Sequence, residues 1–199
     1  MIFLASKKRD KYHAILEGAL KVFAETGFHR TQVSRIAKAA GVADGTIYLY
    51  FSRKEDILIH LFREKLGELI DTINAAIEPI ENASEALRTL VRIHYSTFEN
   101  NVDLAYVTQI ELLQSDMELR KEIGKTIKPY FQLLERLVVK GIEQGLFRPN
   151  LNVKLTRLLL FGSMNEVLTS WLISGRKYSL IEQTDDTVDF WLRGIQKDA

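Results

Sequence analysis

Residues 31–58, TQVSRIAKAAGVADGTIYLYFSRKEDIL, spell two short helices around a glycine turn and then open a long third helix. Val33, Ile36, Ala37 and Ala40 recur at the three-and-four spacing of one buried helical face. Gly41 follows where a left-handed residue ends a helix, which places a turn at Gly41-Val42. The next segment, Asp44 to Tyr50, is too short to be stable in isolation, and Ile47 and Phe51 are the residues expected to hold it by packing. Its other face offers Gly45, Thr46, Tyr48 and Tyr50, with little charge but several hydrogen-bonding groups and exposed aromatics. Such a face suits contacts to phosphates and base edges in a groove. Ser52 with Glu55 three residues later reads as a capping box. Lys54 falls in the first turn of the helix so started, where unpaired N–H groups and the helix dipole favour an anion such as phosphate. This order of elements is the helix-turn-helix arrangement that places a short helix in the major groove of DNA.

The stretch resembles the TetR family of bacterial one-component transcription regulators. The residues that carry the resemblance are Thr31, the Ile36-Ala37 pair, Ala40-Gly41-Val42, Gly45-Thr46-Ile47-Tyr48, Tyr50-Phe51, Lys54-Glu55 and Leu58. The family usually has a serine before the reading helix, where this chain has Ala43. Loss of such a cap costs about 0.5–2 kcal/mol unless a neighbour replaces it, and Asp44 is the candidate replacement. The resemblance together with the exposed-face argument assigns DNA contacts to Thr31, Gln32, Arg35, Asp44, Gly45, Thr46, Tyr48, Tyr50 and Lys54.

Charge supports the same end of the chain. The net charge is +1, yet residues 1–56 hold ten Lys/Arg against six Asp/Glu, a net of +4, and residues 57–199 hold seventeen against twenty, a net of −3. The cationic quarter is the one that phosphate binding requires. Lys7, Lys8, Arg9 and Lys11 form its densest cluster, read either as an arm toward the duplex or as a frayed, solvated terminus. The chain has 199 residues and no cysteine, which excludes disulfides, thiolate zinc sites and cysteine nucleophiles and suits a reducing cytoplasm. The apolar start Met1 to Ala5 is too short for a signal peptide, and its basic residues follow it.

Beyond the reading head the pattern is helical throughout. Ile15, Leu16, Ala19, Val22 and Phe23 make the apolar stripe of a first helix that stops at Gly27 and completes a three-helix domain, residues 1–56. Ile57, Leu58, Leu61, Phe62, Leu69, Ile70, Ile73 and Ile77 line one face of a helix running to about Pro79. Further helical patterns cover 84–100, 102–114, 117–124, 126–145, 152–174 and 182–196. About nine helices and no strand alternation predict an all-α chain, and the resemblance implies that residues 57–199 are the effector-binding and dimerisation domain. Leu158 to Gly175 carries one charge, Glu166, but Ser163, Asn165, Thr169, Ser170 and Ser174 interrupt it, so it reads as a helix buried in protein and not in a membrane.

The resemblance implies that the last two long helices pair with their copies in a homodimer, through Leu155, Leu158, Leu159, Gly162, Leu168 and Leu172 on one and Val188, Trp191 and Ile195 on the other. A two-fold dimer also suits a palindromic double-stranded operator, since one short helix specifies few bases.

GVADGTIYLYF, KEDILI, AYVTQIELLQSDMELRKEI and FGSMNEVLTSW resemble the branch of the family in bacilli that represses fatty-acid breakdown genes and releases DNA when long-chain acyl-CoA binds. That likeness implies a small-molecule effector and no cofactor. A dry tunnel for the acyl chain is assigned to Tyr106, Ile110, Leu113, Tyr130, Phe131, Leu134 and Trp171. Arg120, Lys121, Lys125 and Lys128 are assigned to the CoA phosphates, against the alternative that Glu118 and Glu122 simply pair with them on a solvated face. A repressor of an efflux pump that senses a lipophilic drug shares the whole N-terminal argument and is the alternative. An enzyme is not expected: the chain has no phosphate loop, dinucleotide fingerprint, HExxH or GxSxG. His13, His29, His60 and His94 are scattered and read as packing or surface residues, so no metal site is assigned.

Overall fold

Ile15, Leu16, Ala19, Val22 and Phe23 are all at most 4% exposed, on one face of helix α1, Ile2–Thr26. This computed structural model describes residues 2–111 and 117–197, with side chains from Lys8 to Gln109 and from Met117 to Lys197. Its described residues form nine α-helices. After α1 come α2 (Val33–Ala39), α3 (Asp44–Ile47), α4 (Lys54–Ile77) and α5 (Ala83–Asn100). Then follow α6 (Val102–Tyr106), α7 (Met117–Glu143), α8 (Val153–Ile173) and α9 (Thr184–Ile195). No helix among the described residues is long and apolar enough to cross a membrane.

The chain packs as two units, Met1–Lys65 with Asp103–Thr126, and Leu66–Val102 with Ile127–Ala199. The division at residue 56 marks the end of the reading motif; packing adds 57–65 and 103–126 to the first unit. In that unit α1 and α2 cross so closely that a Cβ on Gly18 would stand 2.8 Å from the Ala40 backbone nitrogen. Only glycine permits that approach. The N-terminal basic segment is helical from Ile2 on, as the first turns of a continuous α1.

In the second unit Arg88 of α5 forks onto α9, at 2.6 Å from Asp185 and 2.7 Å from Asp189. Asn82 caps α5 through the Ser84 and Glu85 N–H groups, and Asn152 caps α8 through that of Leu155.

Two boundaries differ from the sequence pattern. The separate helices expected over 117–124 and 126–145 are one helix, α7, with Pro129 inside it. A single Gly124 costs only about 1 kcal/mol in a helix, and the buried series Leu119, Ile123, Tyr130, Leu134 and Val138 carries the winding through. The helix expected over 102–114 turns π-helical at Val107–Glu111. Thr108, buried there, donates its hydroxyl to the carbonyls of Leu104 and Ala105 at 2.9 and 3.1 Å.

Candidate DNA-reading head and effector site

The turn between α2 and α3 is built as the glycine predicted. Gly41 has φ +66°, its N–H bonds the Lys38 carbonyl, and the Val42 N–H reaches back to Ala37 at 3.0 Å. These two bonds make a Schellman motif and satisfy the end of α2. Helix α3 is shorter than the expected Asp44 to Tyr50. Its regular part ends at Ile47, and Leu49 and Tyr50 continue by tighter bonds to Thr46 and Ile47. Ala43 sits at its N-cap without a side-chain cap, and Asp44 is exposed, so the lost serine is not replaced from within the chain. Tertiary burial compensates: Ile47 is 1% and Phe51 2% exposed, each contributing about 1.5–3 kcal/mol.

With those two anchors inward, the opposite face is presented to solvent. Tyr48 is 59% exposed, and Asp44 and Gly45 are also open; Thr46 and Tyr50 are half-buried. Leu49, 77% exposed, joins this face although it is absent from the residues that the sequence pattern selects. Its signal is nonetheless present in the sequence, because Ile47 and Phe51 already fill the inward positions and leave the intervening leucine outside. An exposed aliphatic side chain on a reading element suits a thymine methyl group. Gln32 and Arg35 are exposed at the start of α2, and Arg35 makes only a loose 3.7 Å pair with Glu25 across solvent.

Two assigned DNA contacts are scaffold instead. Thr31 is 4% exposed, and its hydroxyl donates to the Gly27 carbonyl at 2.8 Å while meeting the Thr26 hydroxyl at the same distance. The Lys54 ammonium donates to the carbonyls of Phe28, His29 and Thr31 at 2.6, 3.2 and 3.0 Å and lies over the Phe28 ring. Three donors meeting three acceptors leave the ammonium no free N–H for phosphate. The capping box is also displaced by one residue: helix α4 begins at Lys54, and the carboxylate that reaches back is that of Asp56, onto the Arg53 N–H at 3.2 Å. Behind the head, Tyr12 stacks on Phe51 and meets His60 Nδ1 at 3.0 Å, joining α1, the reading segment and α4. Burial holds the His60 imidazole below its usual range.

The effector candidates fall in both units. In the first, Tyr106 is half-buried, and Arg120 and Lys121 line a cleft of about 840 Å³ that also takes in Arg53, Glu55 and Glu118. Lys125 is exposed and paired with Glu122 at 2.5 Å, as the solvated-face alternative anticipates. The Leu113 position and the Ile110 side chain lie outside the described residues. In the second unit Lys128 is exposed, while Tyr130, Leu134 and Trp171 are buried. Trp171 donates its indole N–H to the Tyr178 carbonyl at 2.9 Å. Tyr130 and Phe131 both pack edge-on to Phe161, at 5.7 and 4.9 Å. Phe161 escapes the sequence pattern, because a phenylalanine in an apolar run carries no distinguishing mark. Arg157 lies over Phe131 and is paired with Glu135 at 3.0 Å.

The nine residues assigned to a subunit interface separate into two groups. Leu155, Leu158, Leu159 and Gly162 form an outward stripe, the three leucines 49–64% exposed. Leu168, Leu172, Val188, Trp191 and Ile195 are at most 8% exposed and belong to the core of the second unit, which corrects their assignment. Helical phase is the cause: Leu160, Met164, Leu168, Trp171 and Leu172 share the inward face of α8. Trp191 is further committed inward by donating its indole N–H to Ser163 at 2.8 Å. Phe190, 76% exposed, takes its place on the outward side and lines one cleft with Leu155 and Leu159.

Comparison with known proteins agrees with the fold. Residues 15–61 match the bacterial regulatory proteins of the tetR family, and residues 62–194 match the C-terminal region of YsiA-like proteins. The fatty acid metabolism regulator protein of Bacillus subtilis is 42% identical over 189 residues, 95% of this chain and 97% of that one. The solved structure of the fatty acid degradation regulator FadR from Bacillus halodurans superposes with a TM-score of 0.90 at 44% identity, over 92% of this chain and 95% of that one. That of Bacillus subtilis FadR in complex with stearoyl-CoA also gives 0.90, at 42% identity, over 93% of this chain and all of that one.

Proposed function

Because the chain belongs to the tetR family of bacterial regulatory proteins and is a FadR-like regulator of fatty acid metabolism, we propose that it represses fatty-acid degradation genes and leaves its operator when long-chain acyl-CoA binds. One observation carries the choice of effector: a regulator alike over more than nine-tenths of both chains was crystallised with stearoyl-CoA. Residues 1–56 read the duplex, and residues 57–199 bind effector and dimerise. Tyr48, Leu49 and Gly45 face base edges, with Gln32 and Arg35 as the neighbouring phosphate contacts. The acyl chain lies in the apolar interior around Tyr130 and Phe131, and each buried CH₂ contributes about 0.8 kcal/mol, which selects for length. Lys128, exposed on the same helix, is available to CoA phosphate.

Two copies join in the cytoplasm through Leu155, Leu158, Leu159, Gly162 and Phe190. Dimerisation places two reading heads on one face of a palindromic operator, at about 34–36 Å when they occupy successive turns of B-DNA. Acyl-CoA acts by its higher affinity for a dimer state with another separation, and by linkage operator DNA weakens acyl-CoA binding by the same factor. Selection of genomic fragments by the purified protein tests the reading. Enrichment of palindromes upstream of fatty-acid degradation genes is expected; enrichment upstream of efflux transporters alone would replace lipid control with drug sensing.

A further inference from the structure

His94 of α5 is 3% exposed, and its Nε2 has no hydrogen-bond partner among the described residues. Its other nitrogen, Nδ1, lies 3.0 Å from the Tyr130 hydroxyl. Three rings stand around it: Phe98 at 4.8 Å, Tyr130 at 5.7 Å and Tyr95 at 6.0 Å, centroid to centroid. A buried polar atom left without a partner is costly enough that native proteins rarely keep one without a use for it. The two other such atoms among the described residues, Nε of Arg148 and of Arg157, belong to guanidinium groups that donate through a second nitrogen, to the Gly194 carbonyl and to Glu135. In His94 the second nitrogen, Nδ1, is taken up by Tyr130, and Nε2 is the ring's one remaining polar atom.

We propose that His94 Nε2–H is the polar anchor of the effector site and donates a hydrogen bond to the thioester carbonyl oxygen of a bound long-chain acyl-CoA. This rests on the acyl-CoA reading above, and it joins directly to the ring there assigned to the acyl chain, since His94 is bonded to Tyr130. The proton positions are consistent. Burial raises the Tyr130 phenol, so it keeps its O–H, and with that O–H donating to Nδ1 the neutral ring carries its hydrogen on Nε2. Burial also holds the imidazole down to about 3, so it remains neutral at physiological pH. A neutral donor among aromatic rings accommodates an uncharged carbonyl. Among the described residues no cation acts on His94, so the desolvation of a carboxylate placed there is uncompensated. The site therefore distinguishes the thioester from the free fatty acid, and a carbonyl from a methylene.

The test compares stearoyl-CoA with its thioether analogue, in which CH₂ replaces the carbonyl, on the full chain and on His94→Leu and His94→Gln. Wild-type protein should bind the thioester about tenfold more tightly, the equivalent of about 1.4 kcal/mol for one neutral hydrogen bond. His94→Leu should lose that preference while still binding the thioether. A measurement on the wild type alone needs no variant to fold: the ¹⁵N resonance of His94 Nε2 should move on titration with stearoyl-CoA, and the ¹³C-labelled carbonyl band should fall in frequency. An equal preference in wild type and His94→Leu, or an Nε2 resonance and carbonyl band that do not move on saturation, overturns the assignment and leaves acyl-CoA binding intact. Absence of any saturable stearoyl-CoA binding by the wild type overturns both.

Discussion

The Lys54 ammonium stands 2.6 Å from the carbonyl oxygen of Phe28 and 4.5 Å from the centroid of the same residue's ring. A single side chain at the start of α4 thus ties off the carbonyls that follow α1, and the reading segment lies between them in sequence. Lys54→Met keeps the aliphatic stem and removes the donors. It should destabilise the protein by about 1–3 kcal/mol in urea unfolding. It should also leave the slope of log affinity against log salt unchanged, whereas loss of a phosphate contact would reduce that slope by about one.

Tyr48 and Leu49 are the reverse case. Tyr48→Ala and Leu49→Ala should change stability by less than about 0.5 kcal/mol, since both side chains are exposed. Each truncation should instead weaken operator affinity, measured by fluorescence anisotropy, by about 1–3 kcal/mol, the worth of one base-edge interaction. Thr31→Val should show the opposite balance, with the cost falling on folding.

Gly18→Ala brings a methyl group to 2.8 Å from the Ala40 nitrogen, a backbone atom that cannot swing aside. Overpacking of this kind costs about 1–3 kcal/mol. Thermal unfolding should register the loss, and DNA binding should fall because α2 is displaced.

Phe190→Glu and Leu159→Glu place charge on the outward stripe of α9 and α8, and light scattering should find monomers that keep their helical circular dichroism. Leu168→Ala, by contrast, should cost about 2–5 kcal/mol in stability because that side chain is fully buried.

Acid should expose the buried imidazole. His94 titrates at about 3 when folded against 6.5 when free, so between these values the unfolded chain binds a proton that the folded chain does not. Its contribution is therefore unaffected above about pH 6.5 and turns increasingly destabilising as pH falls below it, on the order of 1 kcal/mol per pH unit. Urea midpoints of wild type and His94→Gln measured from pH 7 to 4 should separate along that line.

The fold is legible from the chain because its signals are local. Gly41 and the spacing of Ile36, Ala37 and Ile47 require only a helical period and a left-handed turn. The interface residues show where locality fails: α8 is apolar on several faces, so Leu159 and Leu168 look alike in sequence, and only packing decides that one is outward and the other inward. Lys54 misleads for a related reason. A lysine at a helix start is equally suited to an external phosphate and to carbonyls brought from 23–26 residues away, and the latter are invisible until the chain folds. His94 looks like any isolated histidine in sequence because its distinguishing property, an unpartnered buried nitrogen, is a fact of environment and not of spacing.

The most direct test is a titration of stearoyl-CoA into the complex of the full-length protein with an operator fragment selected from the genome, followed by fluorescence anisotropy at fixed salt. Release of the DNA by stearoyl-CoA at concentrations where CoA alone has no effect is the predicted result. A complex that stearoyl-CoA saturates without weakening, or a protein that selects no sequence from the genome at low salt, would contradict it.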